Sequence, residues 1–82
     1  MYILLEVEVK NSIRNSELEY VNEDILDKYN TLEEAKEGLD NEIERTVKRG
    51  FFNLMSRVSD YRALLHNGGS YYKLLSIMKV GA

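Results

Sequence analysis

The sequence contains no cysteine, no proline and no tryptophan, and it has a single histidine among 82 residues. Without cysteine the chain can form neither a disulfide framework nor a thiolate metal site, which is typical of a protein that stays in the cytoplasm. No apolar run approaches the roughly 20 residues that span a bilayer, and the chain starts directly on a strand-like segment. We therefore expect a cytoplasmic protein with no signal peptide and no membrane partner.

Groups that carry enzyme chemistry are also scarce. The one histidine, His66, lies beside a glycine-rich turn, and no spacing of the nearby serines with Asp60 indicates a catalytic triad. Residues 67–70 (NGGS) lack the lysine-serine/threonine pair and the following helix of a phosphate-binding loop. We predict no catalytic residue, no metal site and no cofactor, and hence a protein that is not an enzyme.

The size and composition of the chain favour one small globular domain over residues 1–82. Hydrophobic residues make up 44% of the chain, which contains six tyrosines but only two phenylalanines. A chain of this length buries only about 60–65% of its unfolded surface, so its core is thin. Self-association is a common remedy for a thin core, and tyrosine suits half-buried interfaces.

The N-terminal part predicts a β-hairpin. Residues 2–10 alternate between apolar and mostly charged side chains, and residues 16–22 alternate again after the turn-type residues 11–15. Four apolar side chains are expected to share the core face: Ile3, Leu5, Val7 and Val9. Matching the apolar faces pairs Val9 with Leu18, which places Glu8 opposite Glu19.

The strongest helix signal covers residues 31–49. Thr31 is a good N-cap residue, Glu34 completes a capping box, and Gly50 is a suitable C-cap. An apolar stripe recurs every three or four residues, at Leu32, Ala35, Leu39, Ile43 and Val47. Residues 23–30 are interpreted as an acidic connection between the hairpin and this helix.

Residues 51–66 fit two interpretations. Apolar residues at helical spacing favour a second helix: Phe51, Leu54, Met55, Val58, Tyr61 and Leu65. The Asn67-Gly68 turn signal would instead join residues 61–66 and 71–80 into a second hairpin. Residues 71–80 predict a strand beside the first one. The expected fold is a small two-layer α+β domain, an antiparallel sheet packed by one main helix and, on the favoured interpretation, a second.

The charge distribution is strongly polarised. Residues 1–44 hold thirteen acids and four bases, a net charge of −9, whereas residues 45–82 hold one acid and seven bases, a net charge of +6. These sum to the −3 of the whole chain. Helix capping and the helix dipole explain the change of sign within residues 31–49 but not its continuation on either side. The acidic surface is predicted to comprise Glu6, Glu8, Glu17, Glu19, Glu33 and Glu37.

The basic half offers a second candidate surface. Its predicted members are Arg45, Lys48, Arg49, Arg57 and Arg62, with Tyr61, Tyr71 and Tyr72 as interleaved aromatic residues. Arginine suits phosphate groups and tyrosine can stack on bases, which is the argument for binding nucleic acid or a nucleotide. The acidic pI of about 5.1 argues against a dedicated nucleic-acid binder.

These observations favour a non-enzymatic binding protein that acts stoichiometrically on another protein or protein complex. In composition the chain is similar to the small accessory proteins of bacteriophages and mobile elements. One concrete form of the hypothesis is an inhibitor of a host nuclease or defence complex, whose glutamates imitate nucleic-acid phosphates. The alternative is a small nucleic-acid or nucleotide-binding protein that uses the basic half. Because the acidic and basic surfaces are complementary, a homodimer is also expected, with tyrosines and Met78 on an exposed edge of the last strand.

Overall fold

A computed structural model describes residues 1–12 and 17–81, which form a five-stranded antiparallel sheet with one helix across one face. The elements are β1 (Tyr2–Ser12), β2 (Glu17–Tyr29), α1 (Leu32–Lys48), β3 (Asn53–Ser59), β4 (Arg62–His66) and β5 (Tyr71–Lys79). The strand order is β2-β1-β5-β4-β3. This confirms the α+β class and the pairing of the last strand with the first. It also makes β5 a central strand rather than an exposed edge.

The helix lies where the capping signals predict it. The hydroxyl of Thr31 accepts a hydrogen bond from the backbone N–H of Glu34 at 3.2 Å, and Gly50 has the positive φ of 85° expected after a helix end. The stripe residues Ala35, Leu39 and Ile43 are buried, as expected. Leu39 and Ile43 pack on the sheet in a core whose buried members are Leu4, Leu39, Ile43, Ala63, Leu65 and Leu75.

The hairpin forms, but its predicted register is wrong. Val9 pairs with Tyr20 rather than Leu18, and Lys10 rather than Glu8 lies opposite Glu19. The observed pairing sets Lys10 against the oppositely charged Glu19, which is favourable, although it also places Glu6 directly opposite Asp24. The predicted turn at residues 11–15 lies largely outside the described residues.

Strand β2 is longer than predicted, because it continues through residues 23–29. The acidic connection assigned to residues 23–30 is therefore wrong for most of its length. Two register shifts, between Leu4/Leu5 and between Glu8/Val9 of β1, accommodate extra residues on β2. Such bulges are common in edge strands and increase the local twist.

The second helix predicted within residues 51–66 is wrong, since the described part of the chain forms β3 and β4 there. The apparent helical stripe is not a buried face, because Phe51 and Val58 are 76% and 56% exposed. What decides the structure is non-local pairing, in which Ala63 and Leu65 of β4 are buried beside β5. The side chain of Asn67 accepts hydrogen bonds from the N–H groups of residues 69 and 71, at 2.8 and 3.2 Å, and closes the β4–β5 turn.

The helix covers the opposite side of β1 from the one expected. Leu4 is 1% exposed beneath α1, together with Leu75 of β5. Side chains alternate along a strand, so the apolar series that begins at Ile3 points away from the helix. This placement leaves an apolar sheet surface on the far side of the molecule.

Candidate functional site

The open face, as we call the side of the sheet opposite α1, carries an apolar surface that crosses four strands. Directly paired residues of antiparallel strands share a face, so the pairing register defines its members. They are Leu18, Tyr20 and Ile25 on β2, Ile3, Leu5, Val7 and Val9 on β1, Tyr72, Leu74 and Met78 on β5, and Leu64 on β4. No helix or strand formed by residues 1–12 and 17–81 packs over this surface.

The open face is large for a protein of this size. Its four strands β2, β1, β5 and β4 have 13, 11, 9 and 5 residues, and at about 3.3 Å per residue and about 4.8 Å between strands their side projects to roughly 600 Å², charged residues included. Its apolar members fill part of this area, and contiguous apolar patches of a few hundred Å² on monomers often have a function. Several members are well exposed: Leu18 at 68%, Tyr20 at 62%, Ile25 at 52% and Met78 at 45%.

A groove of about 630 Å³ crosses the open face between β1, β2 and β5. Its walls come from Ile3, Leu5, Tyr20, Glu23, Asp24, Ile25 and Met78. The hydroxyl of Tyr20 donates a hydrogen bond to Oε2 of Glu23 at 2.9 Å, which holds the ring at the groove's rim. Local desolvation, together with this hydrogen bond and the negative charge of Glu23, raises the pKa of Tyr20.

Charged residues lie around the apolar part of the open face rather than within it. Glu23 and Lys28 on β2 occupy one side, opposite Val7 and Ile3 respectively. Arg62 on β4 occupies the other side, opposite Ser76 of β5. An apolar centre with a charged rim is the usual anatomy of a protein–protein interface.

The acidic residues predicted on β1 are not freely exposed. Glu6 and Glu8 lie on the helix side of the sheet and are half-buried. The carboxylate of Glu6 is 3.0 Å from Nζ of Lys73, and their side chains are only 16% and 18% exposed. The Lys73 ammonium also lies 4.5 Å from the centroid of the Phe52 ring. Glu6 thus contributes to an internal ion pair at the centre of the sheet.

The remaining predicted acids lie far apart on the helix side. Glu19 is exposed opposite Lys10, whereas Glu33 and Glu37 are exposed on the first half of α1. Eight residues of β1 separate Lys10 from the strand end beside α1, which corresponds to roughly 26 Å. The side chain of Glu17 lies outside what the structure describes.

A more compact acidic surface forms where β2 meets α1. Asp27, Glu34 and Glu37 line a cleft of about 360 Å³ together with Tyr29, Gly38, Asn41 and Arg45. Burial raises the pKa of Tyr29, and the nearby Asp27 carboxylate raises it further. Neither Asp27 nor Glu34 is among the predicted site residues, because the sequence assigns Asp27 to a connection and Glu34 to the helix cap.

The predicted basic residues do not form one patch, and three of the five are ion-paired. Arg45 contacts Glu42 at 2.7 Å, Lys48 contacts Glu44 at 3.1 Å, and Arg57 contacts Asp40 at 2.7 Å. Arg49 ends α1 on the helix side, whereas Arg62 lies on the open face. Their charge is therefore divided between the two sides of the sheet.

The three predicted interface tyrosines are divided in the same way. Tyr71 faces the helix side, where Nζ of Lys10 is 5.7 Å from its ring centroid. Tyr61 lies in the β3–β4 turn, 5.3 Å from Nζ of Lys36. Tyr72 pairs with Val9 and belongs to the open face.

His66 has a local role in the β4–β5 turn, where its Nδ1 accepts a hydrogen bond from the N–H of Gly68 at 3.2 Å. Across the described ranges, no three acidic or histidine side chains are grouped to hold a metal ion. Within the same ranges, no helix has the length and apolarity needed to cross a membrane.

Neither a protein-family model, nor a curated protein, nor a solved structure matches this chain.

Sequence reasoning missed most of the open face, although two signals could have indicated it. Both faces of residues 71–80 are largely apolar, and so is one complete face of residues 2–10. A single amphipathic helix with a narrow stripe can cover only one side of a sheet. One apolar sheet face therefore had to remain uncovered.

Proposed function

We propose that this chain is a non-enzymatic binding protein that acts stoichiometrically and contacts a protein partner through the open face. The observation that supports this proposal is the apolar surface spanning β2, β1, β5 and β4. Exposing so much apolar surface to water is unfavourable by about 25 cal/mol per Å². A partner that covers it would recover that free energy on binding.

The shape and charge of the open face favour a protein over other ligands. Small molecules are usually bound in concave sites that enclose most of their surface, whereas this face is broad and only grooved. Nucleic acids need several cations directed at phosphates, and on the open face the described cations are Lys28 and Arg62. The groove between Tyr20, Ile25 and Met78 is suited to receive an apolar side chain at the centre of an interface.

The carboxylates near this face indicate which charge the partner would carry around the contact. Glu23 lies at its rim, and around the edge of β2, on the helix side, Asp27 and Glu37 extend the negative surface onto α1. A partner with a basic border would be steered toward such a surface. An inhibitor that occupies the basic groove of a nuclease or defence complex is the form of the proposal in which these carboxylates take part.

The role of the open face in binding can be tested by substituting two apolar residues that are similarly exposed but lie on opposite sides of the sheet. Met78→Glu changes the open face at a residue that is 45% exposed, and Leu54→Glu is the matched control on the helix side at 42%. A partner captured from lysate and then purified should bind the wild type at 1:1 stoichiometry in calorimetry. Its binding should show the negative heat-capacity change of apolar burial.

We expect Met78→Glu to weaken this binding at least tenfold, about 1.4 kcal/mol, and Leu54→Glu to leave it unchanged. Equal binding of both variants would contradict the proposed surface. Reversing the charges of Asp27 and Glu37, which extend the negative surface from β2 onto α1, tests the acidic contribution separately. If binding at physiological salt survives that reversal, phosphate mimicry is ruled out while the apolar contact remains.

A further inference from the structure

We propose that the partner of the open face is a second copy of this chain, bound face to face about a two-fold axis. The result would be a sandwich of two five-stranded sheets with the helices outside. This inference rests on the proposed function, because it assumes that the open face is a protein-binding surface. It goes further by naming the occupant and its orientation.

The area of the open face agrees with the requirement of a stable dimer. Its roughly 600 Å² in projection is close to the ~800 Å² of accessible surface that each partner contributes to a standard interface. Two sheets pack at about 10 Å separation, with interdigitating side chains from their inner faces. The apolar surface on β1 and β5 would form the centre of that layer.

The charges on the rim select one orientation of the two copies. A two-fold axis parallel to the strands, between β1 and β5, lays β2 of each copy over β4 of the other. Glu23 of β2 lies in the row of Leu64, and Arg62 of β4 lies in the adjacent row. Each Glu23 carboxylate would then be near the Arg62 guanidinium of the second copy, once on each side of the dimer.

Other arrangements are less favourable on the same observations. A two-fold axis perpendicular to the strands would lay β2 on β2 and β4 on β4 of the second copy, which separates each Glu23 carboxylate from the Arg62 guanidinium groups and loses both attractive pairs. Pairing through the exposed edge of β3 is opposed by its two register irregularities, at Leu54/Ser56 and Ser56/Ser59. Such bulges interrupt the regular row of backbone groups that edge pairing needs.

The test measures the oligomeric state of the full chain by sedimentation equilibrium between roughly 1 and 500 μM, a range that brackets moderate affinities. The wild type is expected to be a dimer. Ile25→Glu, at a 52% exposed position on the open face, should be monomeric, whereas Leu54→Glu should remain dimeric. Circular dichroism of each variant establishes that the fold is retained.

Charge exchange tests the orientation at two exposed positions that need not affect folding. Glu23→Arg and Arg62→Glu should each weaken the dimer by about tenfold, because two attractive pairs become repulsive. The double variant should recover to within about threefold of the wild type. A double variant weaker than either single variant would overturn the proposed orientation.

The remaining outcomes separate this inference from the proposed function. A wild type that stays monomeric throughout the range, or a dimer unaffected by Ile25→Glu, overturns closure by a second copy. If that monomer still binds a foreign protein through Met78, the proposed function stands alone. If Ile25→Glu abolishes the dimer while Met78→Glu leaves binding of a different protein unchanged, the dimer is supported. The same result contradicts binding of that protein through the open face.

Discussion

Replacing Gly38 by alanine is expected to destabilise this protein, although alanine is the better helix former. Gly38 lies on the buried side of α1, against the ring of Tyr29 at the end of β2. A β-carbon at position 38 would lie 2.8 Å from Cε1 of that ring and closer still to Cζ and Oη. The tyrosine ring would therefore have to leave its position.

Two opposing contributions determine the size of the effect. Alanine gains about 1 kcal/mol over glycine in a helix interior. The Tyr29 ring packs against the core cluster, and displacing it would expose on the order of 100 Å² of apolar surface. At about 25 cal/mol per Å² this costs about 2.5 kcal/mol. Gly38→Ala should therefore lower the free energy of unfolding by about 1.5 kcal/mol.

A double-mutant cycle separates the two contributions. In a Tyr29→Ala background the ring is absent, so Gly38→Ala should now stabilise the protein by about 1 kcal/mol. The change of sign corresponds to a coupling free energy of about 2.5 kcal/mol, measured by urea unfolding followed by circular dichroism. If Gly38→Ala stabilises the wild type as well, the close contact between helix and ring is refuted.

Three further predictions concern stability. Thr31→Ala should lower the free energy of unfolding by about 1 kcal/mol in thermal melts, whereas Thr31→Ser should retain most of the stability. An equal loss of stability in both variants would contradict the role of the Thr31 hydroxyl as the N-cap of α1. Leu75→Ala, at a 1% exposed position, should cost about 2–5 kcal/mol in urea unfolding, whereas Leu54→Ala, at 42% exposure, should change stability by less than about 0.5 kcal/mol. Because the folded-state pKa of Tyr29 is raised above 10.0, its contribution is complete below pH 10 and is lost as the pH rises through the folded-state pKa. The pKa of Tyr20 is raised as well, so absorbance titration should show late ionisation of two tyrosines, of which Tyr29→Phe removes one; an unchanged titration curve would contradict this assignment.

Local signals in the sequence were sufficient for the elements whose stability is largely local. The cap at Thr31, the apolar stripe through Leu39 and the glycine at position 50 predicted α1 nearly to its ends. Alternation predicted β1, and β-branched and aromatic residues predicted β5. In each of these segments, side-chain periodicity and backbone preference indicate the same structure.

The segment 53–66 could not be assigned in this way, because its local preferences conflict with its partners. Leucine, methionine and arginine favour helix, yet pairing with β5 buries Ala63 and Leu65 and yields two strands. The register of β2 was missed for a similar reason. Bulges shift the pairing after Glu8, and the residues alone do not reveal where an extra residue will be accommodated.

The candidate site depended most on tertiary structure. The sequence by itself determined one amphipathic helix, an alternating first strand, a last strand apolar on both faces, and an acidic half followed by a basic half. Only the packing decided which side of the sheet the helix covers, and it placed Leu4, rather than the series that begins at Ile3, in the core beneath α1. Both sides of β5 can form a core, so periodicity could not choose between them. The choice depends on how α1 crosses the sheet, where Gly38 contacts Tyr29, and with α1 on that side the open face has no element of the described chain over it.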